Sequence, residues 1–111
     1  MEITEKKRNN IIVLELKGRL DTVSSNSLGS KIQGLVDSGE RLLILDFSEL
    51  DYISSSGLRV LLMAAKHVKG VDGKLALVSL NDQNQTVFEL AGFSTVFTVY
   101  QSQDEAVNSH S

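Results

Sequence analysis

The sequence predicts a single α/β domain, residues 1–111, in which helices pack on one or both faces of a mixed β-sheet. A chain of 111 residues has the length of one domain, and 41% apolar with 23% charged residues is the balance of a compact chain with a buried core. Short strand-like runs alternate with segments of helical periodicity, in the order ββαβαβαβα. The run 41–47 is apolar without alternation, which is typical of a central strand that is covered on both faces and parallel to a neighbour.

The first half of the chain is predicted to contain a hairpin, a helix and this central strand. Strands at Ile3–Lys7 and Ile11–Lys17 flank two asparagines, which tolerate the positive φ of a tight turn. A helix then begins near Ser24 and ends at Gly39, because its apolar residues recur at offsets 0, 4, 7 and 8. After the central strand, the segment 48–53 is predicted to be a loop.

The second half begins with a more apolar helix, which is predicted to start near Ser55 and to end at Gly70. The elements predicted after it are a buried strand at 74–80, a short helix at 86–93 that Gly92 stops, a last strand at 96–100, a terminal helix starting at 104, and a frayed tail at 108–111.

Composition excludes several classes of function. A net charge of −3 and a pI near 5.3 argue against nucleic-acid binding, which needs a basic surface. Without cysteine there is neither a disulfide nor a thiolate metal site, and no residues indicate a cofactor or another metal. The first ten residues lack the apolar core of a signal peptide, and no apolar run reaches the ~18 residues of a membrane span. We therefore expect a cytoplasmic protein without a membrane partner. The sequence leaves the oligomeric state open, and a monomer is the simpler expectation.

Three consecutive serines, at positions 54–56, stand where the second long helix is predicted to start. A cap by Ser54 or Ser55 would stabilise the helix by about 0.5–2 kcal/mol, but it explains only one hydroxyl. Gly57 costs up to ~1 kcal/mol in a first helical turn relative to alanine, so a structural reason for it is not evident from the sequence. A bare helix start with hydroxyls suits an approaching anion or a partner backbone.

An enzyme is not predicted. A hydrolase nucleophile elbow needs G-x-S-x-G, and the position two residues before Ser55 is Ile53. The available bases would be His67, predicted to lie on a solvated helix face, and His110 in the tail. The common metalloprotease, phosphate-loop and dinucleotide motifs are missing from the sequence.

The stretch LILDFSELDYISSSGLRVLLMAAK, with GRLDTVSS before it and FELAGFSTVFTVY after it, resembles STAS domains of the anti-sigma factor antagonist family over nearly the whole chain. The resemblance implies a STAS-type fold and a protein that binds an anti-sigma factor with serine kinase activity. That kinase would phosphorylate a serine at the helix start and abolish binding, and a serine phosphatase would reverse the modification. The phosphoacceptor position falls on Ser55, with Ser56 and Ser54 as alternatives.

The resemblance also implies a partner-binding surface around this serine. Its predicted members are Asp21, Thr22, Ser24, Ser54, Ser56, Gly57 and Arg59. Asp21 has a second interpretation, as the cap of the first long helix, and Arg59 has one as a solvated side chain. The family usually carries aspartate where this chain has Ser54, so a non-switching STAS module that binds a nucleotide, a lipid or a scaffold partner remains an alternative function.

Overall fold

The computed structural model describes residues 1–90, 92 and 97–110, apart from the side chain of residue 110. Its elements follow the predicted order ββαβαβαβα. They are β1 Glu2–Arg8, β2 Ile11–Leu20, α1 Thr22–Asp37, β3 Leu42–Ile53, α2 Ser55–Gly70, β4 Lys74–Val78, α3 Asp82–Leu90, β5 Thr98–Tyr100 and α4 Gln103–His110. The predicted α/β fold with a mixed sheet is confirmed.

The sheet has the strand order β1-β2-β3-β4-β5. β1 and β2 form an antiparallel hairpin, and each of the other neighbouring pairs is parallel. The hairpin turn is the predicted pair of asparagines, because Asn9 and Asn10 have φ values of 51° and 69°. β3 lies in the middle of the sheet and parallel to both neighbours, as its unbroken apolar run predicts.

The alternation of side chains along the strands divides the core into two layers. The larger layer lies under α1, α2 and α3 and includes Leu14 and Leu45, both fully buried. The smaller layer lies under α4, where Ala106 and Val107 cover Val13 and Ile44. The helices therefore occupy both faces of the sheet. Within the described ranges, no helix is long and apolar enough to span a membrane.

The prediction of a loop at 48–53 is wrong. β3 continues to Ile53, and β2 continues three residues beyond its predicted end, because the two strands pair as far as Leu20 and Ile53. Leu50 and Ile53 are buried while the residues between them are exposed, and the register shifts twice along this pairing. Such pairing between distant segments supplies backbone hydrogen bonds that a local hydrophobic pattern does not reveal.

Other element boundaries also differ from the prediction. α1 begins at Thr22 rather than near Ser24. α3 begins four residues earlier than predicted, because the Asn81 side chain accepts a hydrogen bond from the Asn84 backbone N–H at 2.7 Å and caps the polar first turn. Gly92 has φ +75° after the helix end, as expected of a terminating glycine, whereas the predicted end at 93 and strand start at 96 lie outside the described residues. α4 runs to position 110, into the segment for which fraying is predicted.

Candidate functional site

The starts of α1 and α2 lie side by side, because the two strands that lead into them end together. Leu20 and Ile53 are partners at the ends of β2 and β3, and the Ser54 backbone N–H donates to the Leu20 carbonyl at 2.9 Å. We call the residues at the two starts the helix-start surface: Asp21, Thr22 and Ser55 are exposed, Ser54 and Ser56 are half-buried, and Ser24 and Gly57 are buried beneath them. The structure thus brings together six of the seven predicted partner-binding residues and the predicted phosphoacceptor, and Arg59 follows in the second turn of α2.

Ser54 is the N-cap of α2. Its side-chain oxygen accepts a hydrogen bond from the Gly57 backbone N–H at 3.0 Å, and its carbonyl accepts from the Leu58 N–H at 3.0 Å. The two candidates for the cap are therefore resolved in favour of Ser54.

The three serine hydroxyls have different surroundings. The Ser54 hydroxyl serves as the cap, and the Ser56 hydroxyl forms a hydrogen bond with the Thr22 hydroxyl at 3.2 Å, which joins the two helix starts. Ser55 is exposed, and its hydroxyl has no hydrogen-bond partner within the described residues. Among the three, the Ser55 hydroxyl is the one that an incoming group reaches without breaking an existing contact.

Gly57 has a structural reason that the sequence does not reveal. It is buried, and a Cβ at this position would lie 3.0 Å from Cγ and Cδ2 of Leu20 and 3.1 Å from the Leu20 carbonyl oxygen. The absence of a side chain therefore allows the first turn of α2 to rest directly on the end of β2. This contact fixes the height of the serines above the sheet.

Asp21 caps α1 in a reciprocal capping box with Ser24. The Ser24 backbone N–H donates to the Asp21 carboxylate at 3.0 Å, and the Asp21 N–H donates to the Ser24 hydroxyl at 2.9 Å. The backbone hydrogen bond from Ser24, supported by its hydroxyl, lowers the pKa of Asp21. The buried Ser25 hydroxyl also donates to the Asp21 carbonyl. The capping interpretation of Asp21 is confirmed, while its role in partner binding stays a prediction.

Apolar side chains beside the helix-start surface were missed by the sequence analysis. Val23, in the first turn of α1, is 76% exposed. Tyr52 is 42% exposed at the end of β3, and the Arg19 guanidinium lies 4.4 Å from the centre of its ring. The sequence could have revealed that Val23 is exposed, because Val23 lies off the apolar stripe that forms the buried face of α1. For Tyr52 there is no such signal, because its strand was predicted to be a loop.

His67 is not on a solvated face as predicted. It is half-buried and lines a groove of about 310 Å³ between α1 and α2, together with Gly29, Val60 and Met63 among others. Its Nε2 atom is buried without a hydrogen-bond partner in the described part of the chain. The groove lies along the helices, beyond their first turns, and brings no second titratable side chain to His67.

The different roles of the first two serines can be tested by alanine substitution. We expect Ser54→Ala to lower the free energy of unfolding by about 1 kcal/mol, because a Gly57 N–H loses its acceptor. Ser55→Ala is the matched control, since it removes an exposed hydroxyl without a partner in the described structure and should change stability by less than about 0.5 kcal/mol. Urea denaturation measures both. Equal losses in the two variants would contradict the assignment of the cap.

Comparisons with known proteins identify the family and agree with the fold. The family model of the STAS domain matches residues 2–106. The chain is 38% identical over 106 residues to BtrV of Bordetella bronchiseptica, whose name assigns it to the anti-sigma factor antagonists, and the match covers 96% of this chain and 91% of BtrV. Two solved structures, each 20% identical to the chain, share its fold. One is a Thermotoga maritima protein that is also described as an anti-sigma factor antagonist. Its TM-score is 0.91, and the match covers 96% of this chain and 92% of that one. The other is the Bacillus cell fate determinant SpoIIAA in its phosphorylated form, with a TM-score of 0.79 and coverage of 99% and 100%.

Proposed function

This chain belongs to the STAS domain family, among the anti-sigma factor antagonists, and from that premise we propose that it is a phosphorylation-controlled binding module. In the unmodified state the helix-start surface binds an anti-sigma factor that has serine kinase activity. The kinase phosphorylates Ser55 and the complex dissociates, and a serine phosphatase restores binding. An anti-sigma factor acts on the transcription machinery, so the proposal implies a cytoplasmic protein whose role is binding rather than catalysis.

The observation that carries the proposal is the state of the Ser55 hydroxyl. It is exposed, and it makes no hydrogen bond within the described residues, whereas the hydroxyls on either side are engaged by Gly57 and Thr22. A kinase must reach a hydroxyl and align it with a phosphate donor, and of the three serines at the start of α2 only Ser55 offers one at no cost in hydrogen bonds within the described residues. SpoIIAA, which shares this fold, has a solved structure in its phosphorylated form, and this supports phosphorylation as the modification proposed for this chain.

The replacement of the family aspartate by Ser54 is compatible with this function. An N-cap needs one oxygen that accepts a hydrogen bond from the first turn, and the Ser54 hydroxyl supplies it to Gly57. The helix start is therefore built without a carboxylate. Loss of the aspartate also leaves one negative charge fewer beside Ser55, which lowers the repulsion that an incoming phosphate meets.

A phosphate on Ser55 should leave the fold intact. Phosphoserine carries about −1.5 to −2 charges at pH 7, and the first turn of a helix favours negative charge through its free N–H groups and its dipole. Ser55 is the first residue of α2, and no acidic side chain lies in that first turn. The modification therefore acts on the partner interface rather than on folding.

The unmodified surface has the composition of a protein interface. Val23 and Tyr52 supply exposed apolar area next to the helix-start surface, and Arg59 supplies an exposed guanidinium. Tyrosine and arginine are enriched among the residues that dominate binding energies. We propose that these three side chains contact the anti-sigma factor together with the hydroxyls at the helix starts.

The test is phosphorylation by an anti-sigma kinase from the same genome. After incubation with ATP, intact-mass measurement and site mapping should find one phosphate on Ser55, and Ser55→Ala should remain unmodified. Ser56→Ala is the matched control and should still be phosphorylated. Binding of the unmodified chain without any phosphorylation would overturn the proposal and favour the non-switching module, while phosphate on Ser54 or Ser56 would overturn the assignment of the acceptor.

A further inference from the structure

Arg59 stands one helical turn after Ser55 on α2. Both residues are exposed and lie within the same helix, four positions apart. Side chains four positions apart on a helix are neighbours, with about 5–6 Å between their Cβ atoms. A group attached to the Ser55 oxygen therefore comes within reach of the Arg59 guanidinium.

Arg59 has no other ionic partner in the described structure. The sequence of α2 contains no aspartate or glutamate, so the helix itself offers nothing to pair with. The ion pairs found among the described residues lie elsewhere, at Lys6–Glu15, Arg8–Asp104 and Lys31–Glu5. The guanidinium is thus available to a new anion on the surface of α2.

The second arginine in this region is differently placed. Arg19 lies on β2, and its guanidinium is stacked 4.4 Å from the centre of the Tyr52 ring. Moving it to a phosphate on Ser55 would give up this cation–π contact, which is worth about 0.5–1 kcal/mol at an exposed site. Within the described residues, Arg59 has no hydrogen bond, ion pair or cation–π contact to give up.

We propose that Arg59 is the intramolecular counter-ion of a phosphate on Ser55. The inference rests on the proposed function for the presence of that phosphate. An acidic group placed N-terminal to a basic one at this spacing is the favourable orientation, and a guanidinium matches two phosphate oxygens with paired N–H donors. Phosphorylation then changes the surface in two ways. It adds a dianion, and it pairs with the Arg59 guanidinium that the unmodified chain presents to its partner.

The test measures the thermal stability of the full chain with phosphoserine placed at position 55 during translation, so that no kinase or partner is needed. Phosphoserine at the helix start should raise the Tm, and in Arg59→Gln this rise should be smaller by about 2–4 °C. Lys66→Gln is the matched control, because Lys66 is an exposed cation on the same helix, about 16 Å along the helix axis from Ser55. In Lys66→Gln, phosphoserine should raise the Tm by as much as in the wild type. The difference between the wild type and Arg59→Gln should disappear in 1 M NaCl, where the screening length is about 3 Å.

Two outcomes would overturn the inference. One is an equal rise in Tm in the wild type and in Arg59→Gln. The other is a rise that is reduced in Arg19→Gln but not in Arg59→Gln, which would place the counter-ion on β2. Either result is compatible with phosphorylation of Ser55 by a kinase and loss of binding, so it leaves the proposed function standing. Conversely, a kinase that ignores Ser55 would overturn the proposed function without changing the measured coupling.

Discussion

A phosphate on Ser55 is expected to weaken binding to the anti-sigma factor by about 1000-fold. In the proposed complex the phosphate would lie at the centre of the helix-start surface, where the unmodified chain would bury an uncharged hydroxyl. Forcing a dianion into a packed interface where the anti-sigma factor supplies no counter-charge costs about 4 kcal/mol or more, and each 1.4 kcal/mol corresponds to a factor of ten in affinity. A complex of nanomolar affinity then becomes micromolar, which is too weak to hold the partner at cellular concentrations.

Calorimetry or surface plasmon resonance with the purified anti-sigma factor measures this loss. The unmodified chain and Ser55→Ala should bind with affinities within a few-fold of each other, because alanine removes only an exposed hydroxyl. The phosphoserine form should bind about 1000-fold more weakly, with a micromolar Kd where the unmodified complex is nanomolar. Retention of full affinity by the phosphoserine form, with circular dichroism proving that it is folded, would show that Ser55 lies outside the interface.

The second large effect is expected for Gly57→Ala, which should lower the free energy of unfolding by about 1–3 kcal/mol. The new methyl group would approach the Leu20 side chain to 3.0 Å and the Leu20 carbonyl oxygen to 3.1 Å. The Leu20 side chain is fully buried in the core, and its carbonyl belongs to a strand that is held by its pairing with β3, so neither has room to move away. The higher helix propensity of alanine returns at most about 1 kcal/mol, so the steric term decides the sign.

Gly34→Ala is the matched control for this prediction. Gly34 lies inside α1, and apart from its chain neighbours and the backbone of its own helix a Cβ there would meet no atom of the described residues within 4 Å. This variant should therefore gain about 0.5–1 kcal/mol from helix propensity and from a less flexible unfolded chain. Urea denaturation of both variants gives the comparison. A Gly57→Ala protein as stable as the wild type would show that α2 does not need the close approach to β2.

Local patterns in the sequence predicted most of the fold. The asparagine turn, the unbroken apolar run of β3 and the spacing of apolar residues in α1 and α2 each depend on neighbours within a few positions, so each can be found without knowing the fold. The continuation of β3 from Ser48 to Ile53 was not predicted. The polar residues of this segment follow no simple alternation, and the segment pairs with residues of β2 that lie 32 or 33 positions earlier in the chain, as in Lys17–Glu49 and Leu20–Ile53.

The candidate site divides in the same way. The sequence by itself determined that serines and a glycine stand at a helix start, that Asp21 precedes another helix, and that the chain resembles STAS domains. Only the tertiary structure decided that the two helix starts meet, that Ser54 caps while Ser56 binds Thr22, and that Gly57 fits against Leu20. The reason is physical. A helix start is a local property of a few residues, whereas the partner of each hydroxyl depends on where two strands distant in the sequence end. The pairing of these strands in the sheet sets the distance between the two helix starts.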